Sequence, residues 1–159
     1  MPDRAAFDLQ LRLFEQGAEE LQRQISRLDD ILFRIKAAAV TVWLAVQGWA
    51  FSTGDGLLLW LGFFAIAGFW LMEGLFRGSQ IGFTDTARRL VAFVNDPERL
   101  ERAFAERTFP PDLVFPVSLP RTRGTRAALF LRGLASPFVA TLYLVLALVN
   151  VLAVAAVGG

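Results

Sequence analysis

The sequence predicts an all-α integral membrane helical bundle: a long N-terminal cytoplasmic helix, a transmembrane hairpin and a third, C-terminal transmembrane helix. Three apolar runs carry this prediction, at 37–52, 57–76 and 137–157. Each run is about long enough to cross a ~30 Å hydrocarbon core as a helix, which takes roughly 17–25 residues. Hydrophobic residues make up 55% of the 159 residues, a composition typical of membrane proteins.

The distribution of positive charge predicts the orientation. All 16 lysine and arginine residues lie before the first run or between the second and the third. Loops rich in these residues stay in the cytoplasm. We therefore expect a cytoplasmic N-terminus and a periplasmic or extracellular C-terminus. Fifteen arginines against one lysine suggest a GC-rich bacterial genome, and the membrane would then be the bacterial inner membrane. The long, charged first segment has no early apolar core, which argues against a signal peptide.

Four segments follow from these runs. We expect a cytoplasmic heptad helix over 1–36 and a transmembrane hairpin over 37–76, with the turn at Gly54-Asp55-Gly56. Cytoplasmic helices and a proline-rich loop are predicted over 77–134, and the third transmembrane helix over 135–159. The middle segment should contain a short helix with Asp96 as N-cap and Pro97 at its first position.

The first segment has apolar residues at alternating spacings of four and three, which is the period of a coiled-coil seam. Three arrangements fit this pattern: packing on a helix of the same chain, association with other subunits, or a helix lying flat on the membrane. The acidic polar face disfavours the last arrangement. As an oligomer seam, the pattern would consist of Leu11, Phe14, Leu21, Ile25, Leu28 and Leu32.

The helix of the first segment should continue unbroken into the first span, because no proline or turn separates them. Arg34 and Lys36 would then lie at the membrane interface with their charged ends in water. Trp43 and Trp49 are expected to face lipid or the interfaces.

Small residues mark two faces for close helix packing. The first face lies on the first span and consists of Thr41, Ala45, Gly48 and Ser52. The second follows the second span, where Gly74, Gly78 and Gly82 recur at every fourth position.

Three polar residues are candidates for facing a pore. Gln47 and Asn150 lie well inside the first and third runs, and each has the alternative role of an interhelical hydrogen bond. Glu73 lies near the cytoplasmic end of the second run. Arg77 follows it at the i+4 position that favours a helical ion pair, whereas a ring of such carboxylates would attract cations. Tyr143 shares a helix face with Asn150.

An arginine cluster precedes the third span and consists of Arg121, Arg123 and Arg126. It is a candidate patch for anionic lipid headgroups or for a phosphate-bearing ligand. This patch alone gives little support to nucleic-acid binding, and we expect no direct nucleic-acid partner.

The composition argues against an enzyme. The chain has no cysteine and no histidine, which removes thiolate nucleophiles, most transition-metal sites and histidine acid–base catalysis. No phosphate-binding glycine loop is present. We therefore expect no catalytic residue, no metal site and no cofactor.

Residues 69–73 read Phe-Trp-Leu-Met-Glu, and Arg77, Gln80, Phe83 and the pair Arg88-Arg89 follow. This pattern resembles that of the SLATT-type (SMODS/SLOG-associating two-transmembrane) membrane proteins of bacterial conflict systems. The resemblance implies a defence effector whose oligomer opens an ion-conducting pore under a nucleotide-derived signal. It also implies a partner, either a nucleotide-signal sensor or a nucleotidyltransferase. The third span lies outside the two-span unit of these proteins.

Two functions remain open. The first is a homo-oligomeric, pore-forming membrane effector in which Gln47, Glu73 and Asn150 face the axis. Several copies would be needed, because three apolar spans give one subunit too little polar lining. The second is a non-conducting structural or regulatory membrane subunit that docks a cytoplasmic partner through its heptad helix.

Overall fold

The protein is an all-helical bundle, as predicted. The computed structural model describes residues 4–110, 113 and 123–158, and no strand occurs in that part of the chain. The described residues form five helices: α1 (Arg4–Thr53), α2 (Gly56–Val94), α3 (Pro97–Glu106), α4 (Arg123–Leu134) and α5 (Pro137–Gly158). Helices α1, α2 and α5 are long and apolar enough to cross a membrane, by length and composition.

Helices α1 and α2 form a long hairpin. The 50 residues of α1 make one continuous helix, so the heptad segment and the first apolar run belong to a single element, as expected. The turn depends on Gly54, whose φ of 67° lies in the left-handed region that glycine adopts without strain. Asp55 then caps α2, because its Oδ1 accepts a hydrogen bond from the amide of Leu57 at 2.9 Å.

The bundle has two halves of different chemistry. The apolar half consists of residues 37–53 of α1, residues 56–76 of α2, and α5. Its surface carries large exposed apolar side chains such as Leu57, Phe64 and Leu144. The charged half consists of residues 4–36 of α1, residues 77–94 of α2, and α3. An exposed apolar surface of this extent fits the interior of a bilayer.

The heptad seam of α1 packs against helices of the same chain. Phe7 and Leu21 join a buried core with residues of α2 and α3, and Leu11, Phe14 and Ile25 pack on its edge. Leu28 and Leu32 are buried further along α1. The ring of Phe14 also stacks on Phe109, with centroids 5.2 Å apart. This packing is the predicted arrangement in which the first segment packs on helices of its own chain. The same residues could form an oligomer seam only if they first separated from α2 and α3.

Helix α3 begins as predicted. Pro97 occupies its first turn, and Asp96 Oδ1 accepts a hydrogen bond from the amide of Arg99 at 3.2 Å. The helix ends at Glu106, and its C-cap residue Arg107 has a left-handed φ of 52°. Most of the predicted proline-rich loop, including Arg121, lies outside the described residues.

Helix α4 lies against α2 through a contact made of glycines. A Cβ on Gly78 would be 2.6 Å from the carbonyl oxygen of Leu129, and one on Gly133 would overlap the carbonyl oxygen of Gly74. The two backbones therefore touch, and the glycine face of α2 is occupied by the chain's own α4. Gly82 is also buried.

The small-residue face of α1 is different, because no other described residue of the chain covers it. Thr41, Ala45, Gly48 and Ser52 are all exposed. A Cβ on Gly48 would meet no atom within 4 Å.

Candidate functional site

A network of buried polar side chains lies between α1, α2 and α5. Gln47, Glu73 and Asn150 are 6%, 1% and 0% exposed. The structure brings Gln47 together with Asn150 and places Glu73 beside Tyr143 in a second layer. Since seven residues of helix separate Tyr143 from Asn150, the layers are ~10 Å apart along α5.

Asn150 is the centre of the first layer. Its Oδ1 accepts hydrogen bonds from the indole nitrogen of Trp43, at 3.1 Å, and from Nε2 of Gln47. Its Nδ2 donates to the carbonyl oxygen of Leu59 at 3.0 Å. Asn150 therefore joins α5 to both α1 and α2, which is the interhelical role that the sequence left open. Gly62 makes room for these amides, because a Cβ there would overlap the Asn150 amide.

The first layer leaves one polar atom without a partner. Gln47 Oε1 is buried and accepts no hydrogen bond from the described residues. An unsatisfied buried acceptor costs about 1–3 kcal/mol, so this amide is held at some expense of stability.

Trp43 contradicts its predicted position. It is buried, whereas Trp49 is exposed as expected. The buried face of α1 continues through Ala39, Trp43 and Gln47 at intervals of four, and Trp49 points away from it. Within the bundle, the indole N–H of Trp43 finds an acceptor in Asn150, a bond that lipid could not supply.

Glu73 is the centre of the second layer. Its Oε1 lies 3.2 Å from the ammonium nitrogen of Lys36, and its Oε2 accepts a hydrogen bond from the hydroxyl of Tyr143 at 2.8 Å. Lys36 also donates to the carbonyl oxygen of Phe138. Both carboxylate oxygens are thus satisfied, by α1 and by α5.

The predicted pair between Glu73 and Arg77 is wrong, because Glu73 pairs with Lys36 instead. Glu73 turns into the bundle, where Lys36 reaches it from α1. Arg77 lies one turn later at the boundary, and its Nη1 donates to Gln80 Oε1 at 2.5 Å. The guanidinium of Arg77 also lies over the ring of Phe138, 5.6 Å from its centroid, and forms no ion pair with Glu73.

An open pocket connects the second layer, at Glu73, with the surface of the charged half. Lys36 and Glu73 border an open pocket of about 360 Å³, together with Asp29, Arg77 and Phe138. The Lys36 side chain remains 32% exposed although its partner is buried. In this ion pair, the carboxylate of Glu73 is therefore buried, whereas the side chain of Lys36 stays partly exposed.

Sequence reasoning missed Lys36 and Trp43 as members of this network. The helical spacing of the seam could have identified them, because the buried stripe of α1 continues past Ile35 into the apolar run. Extending that stripe by helical spacing would have placed Trp43 and Gln47 on one face.

The structure does not bring the predicted arginine patch into this network. Arg121 lies outside the described residues, and Arg123 and Arg126 belong to the first turn of α4. Arg126 borders a separate pocket at the contact between α2 and α4. Among the described residues, no group of three or more acidic, cysteine or histidine side chains is placed to hold a metal ion.

Comparisons with protein-family models, with curated proteins and with solved structures give no match. The resemblance to SLATT-type proteins therefore stays a prediction.

The variant Asn150→Leu should lower the free energy of unfolding by about 2 kcal/mol, because the N–H groups of Trp43 and Gln47 lose their common acceptor. Unfolding in mixed micelles of dodecylmaltoside and dodecyl sulfate measures this loss. Val151→Leu, on the exposed side of α5, is the matched control and should change stability by less than about 0.5 kcal/mol. Equal stability of the two variants would contradict the hydrogen-bonded layer.

Proposed function

We propose that the protein is a homo-oligomeric, ion-conducting membrane effector of a bacterial defence system, and that the described conformation is its closed form. The observation that carries the ion-conducting part of this proposal is the ion pair between Lys36 and Glu73 inside the bundle. The defence role rests on the resemblance to SLATT-type proteins. Ionisable residues within membrane spans are rare, and they mark ion pathways and proton relays. In this proposal α1, α2 and α5 cross the inner membrane with the charged half in the cytoplasm.

Among its described residues, a single copy in this conformation offers no polar path for ions through the apolar half. Gln47, Glu73 and Asn150 face the centre of their own bundle, and the surrounding surface is apolar. Conduction therefore requires several copies and a rearrangement that turns Glu73 toward a shared axis. The open pocket beside Glu73 supports its role at the cytoplasmic mouth, where carboxylates attract cations.

The exposed small-residue face of α1 supports assembly. A Cβ added to Gly48 on α1 or to Gly68 on α2 would have no neighbouring atom within 4 Å, so a helix of another copy can approach their backbones closely. The glycine face of α2 cannot serve this purpose in the same conformation, since α4 already covers it.

Potassium flux from proteoliposomes tests the proposal. Lys36→Met removes the partner of Glu73, and a bias of about 1.4 kcal/mol toward the open form would raise flux about tenfold without any trigger. Glu73→Gln should move the reversal potential of a potassium chloride gradient toward zero, because the mouth loses its negative charge.

Glu98→Gln on α3 is the control for the loss of a carboxylate, and its reversal potential should equal that of the wild type. If neither the wild type nor Lys36→Met conducts above protein-free liposomes, the pore is contradicted.

The second candidate is a non-conducting structural or regulatory subunit. The observation that favours it is that the side chains of Glu73 and Asn150 have their hydrogen-bond and ion-pair partners within one chain. A partner would then dock on an exposed face of the charged half, because the heptad seam is occupied. In this alternative, liposomes containing Lys36→Met stay impermeable.

A further inference from the structure

A second polar pocket lies between the charged half and α4, and it shares Asp29 and Arg77 with the pocket beside Glu73. It has a volume of about 460 Å³ and is bordered by residues of α1, α2 and α4. Its charged residues are Asp29, Arg77, Asp85, Arg88 and Arg132. Three arginines against two aspartates leave a net charge of +1.

Asp85 lies between two of these arginines. Its Oδ1 is 3.5 Å from Nη1 of Arg88, and its Oδ2 is 3.3 Å from Nη1 of Arg132. A guanidinium has five N–H donors, so each arginine keeps further donors for a second acceptor in the pocket. Arg88 is 76% exposed, which makes its remaining donors accessible.

Arg77 has no carboxylate partner among the described residues. Its Nη1 donates to Gln80, its Nε is buried without an acceptor, and its guanidinium lies 5.6 Å from the ring centroid of Phe138. Asp29 does not neutralise it, because Asp29 accepts a hydrogen bond from Gln80 Nε2 at 2.5 Å instead. The positive charge of Arg77 is therefore not neutralised by a direct ion pair with any described residue.

The pocket lies where the apolar half ends. Arg77 directly follows the second apolar run, and Arg132 lies shortly before the start of α5. Headgroups extend roughly 5–8 Å beyond each side of the hydrocarbon core. In the orientation proposed above, Arg77 lies at headgroup depth while Arg88 lies further into the cytoplasm.

We propose that this pocket binds a phosphate group through Arg77, Arg88 and Arg132. Guanidinium groups match phosphate oxygens with paired, charge-assisted hydrogen bonds, and arginine-lined pockets at the cytoplasmic ends of spans suit anionic headgroups. The phosphate comes from an anionic lipid headgroup or from a soluble phosphate compound, since the pocket borders both environments. Binding does not depend on whether the assembled protein conducts ions.

Substitution of Asp85 distinguishes a phosphate site from a purely structural cluster, because only a phosphate site should bind more tightly without this carboxylate. Asp85 competes with a phosphate for Arg88 and Arg132, so Asp85→Asn raises the net charge of the pocket to +2 and frees both arginines. Affinity for the phosphate group should rise about tenfold. A purely structural role for these ion pairs predicts no gain.

The test is native mass spectrometry of the full chain in dodecylmaltoside, with phosphatidylglycerol and inorganic pyrophosphate as separate probes. Arg88→Gln and Arg132→Gln should each weaken retention about tenfold. Arg89→Gln is the matched control, because Arg89 neighbours Arg88 on α2 but does not border the pocket. Circular dichroism checks the fold, and the exposed Arg88 keeps the test valid if loss of the Arg132 ion pair displaces α4.

The two probes separate the sources. Retention of phosphatidylglycerol that depends on the arginines identifies a lipid headgroup, and arginine-dependent retention of pyrophosphate identifies a soluble compound. The proposal is overturned if the wild type retains neither probe, if Arg88→Gln and Arg132→Gln retain both probes as the wild type does, or if Asp85→Asn binds more weakly. None of these readouts measures flux, so failure here is distinct from failure of the pore.

Discussion

Gly133→Val should displace α4 from α2 and lower the free energy of unfolding by about 3 kcal/mol, the upper part of the range for overpacked positions. A Cβ on Gly133 would overlap the carbonyl oxygen of Gly74 and would lie 2.7 Å from the amide nitrogen of Gly78. Both are backbone atoms, so no side-chain rotation can relieve the clash. Unfolding in mixed micelles measures the loss.

Gly48→Val is the matched control for this prediction. It makes the same substitution on α1, where a Cβ meets no atom within 4 Å of its own chain. We expect little change in the stability of a single copy, because the helix propensities of glycine and valine differ by less than about 1 kcal/mol. If both variants are equally stable, the close contact between α2 and α4 is wrong.

Lys36→Met should cost about 3 kcal/mol of unfolding free energy, because it leaves the buried Glu73 carboxylate without its cation. The double variant Lys36→Met/Glu73→Gln should be more stable than Lys36→Met alone, since a neutral amide still accepts the hydrogen bond of Tyr143 and carries no charge to compensate. The coupling between the two positions is obtained from a double-mutant cycle in mixed micelles.

Arg34→Met is the control for removal of a cation from this part of α1. Arg34 is exposed and forms no ion pair with the described residues, so its loss should cost less than about 0.5 kcal/mol. Additive costs at Lys36 and Glu73 would mean that the two side chains do not interact.

The elements of this fold were predictable because their signals are local. Apolar length defined the three long helices, and Asp96 with Pro97 marked the start of α3. The continuity of α1 followed from the absence of any helix-breaking residue between Ile35 and the first apolar run.

The partners within the site were not predictable in the same way. The i+4 rule favoured Arg77 for Glu73, but it considers only one helix, whereas the rotation of α2 against α1 placed Lys36 closer. The glycine face likewise indicated a close approach without indicating the neighbour. Its neighbour is α4, a short helix far along the chain whose own Gly133 completes the contact.

The mass of the wild-type protein in lipid nanodiscs, measured by native mass spectrometry, tests the proposed assembly most directly. We expect a defined symmetric oligomer, and we expect Gly48→Val to shift the distribution toward the monomer while the helix content stays unchanged. A monomer at high protein concentration in the wild type would contradict the pore. The buried network would then serve to hold three spans of a single, non-conducting subunit together.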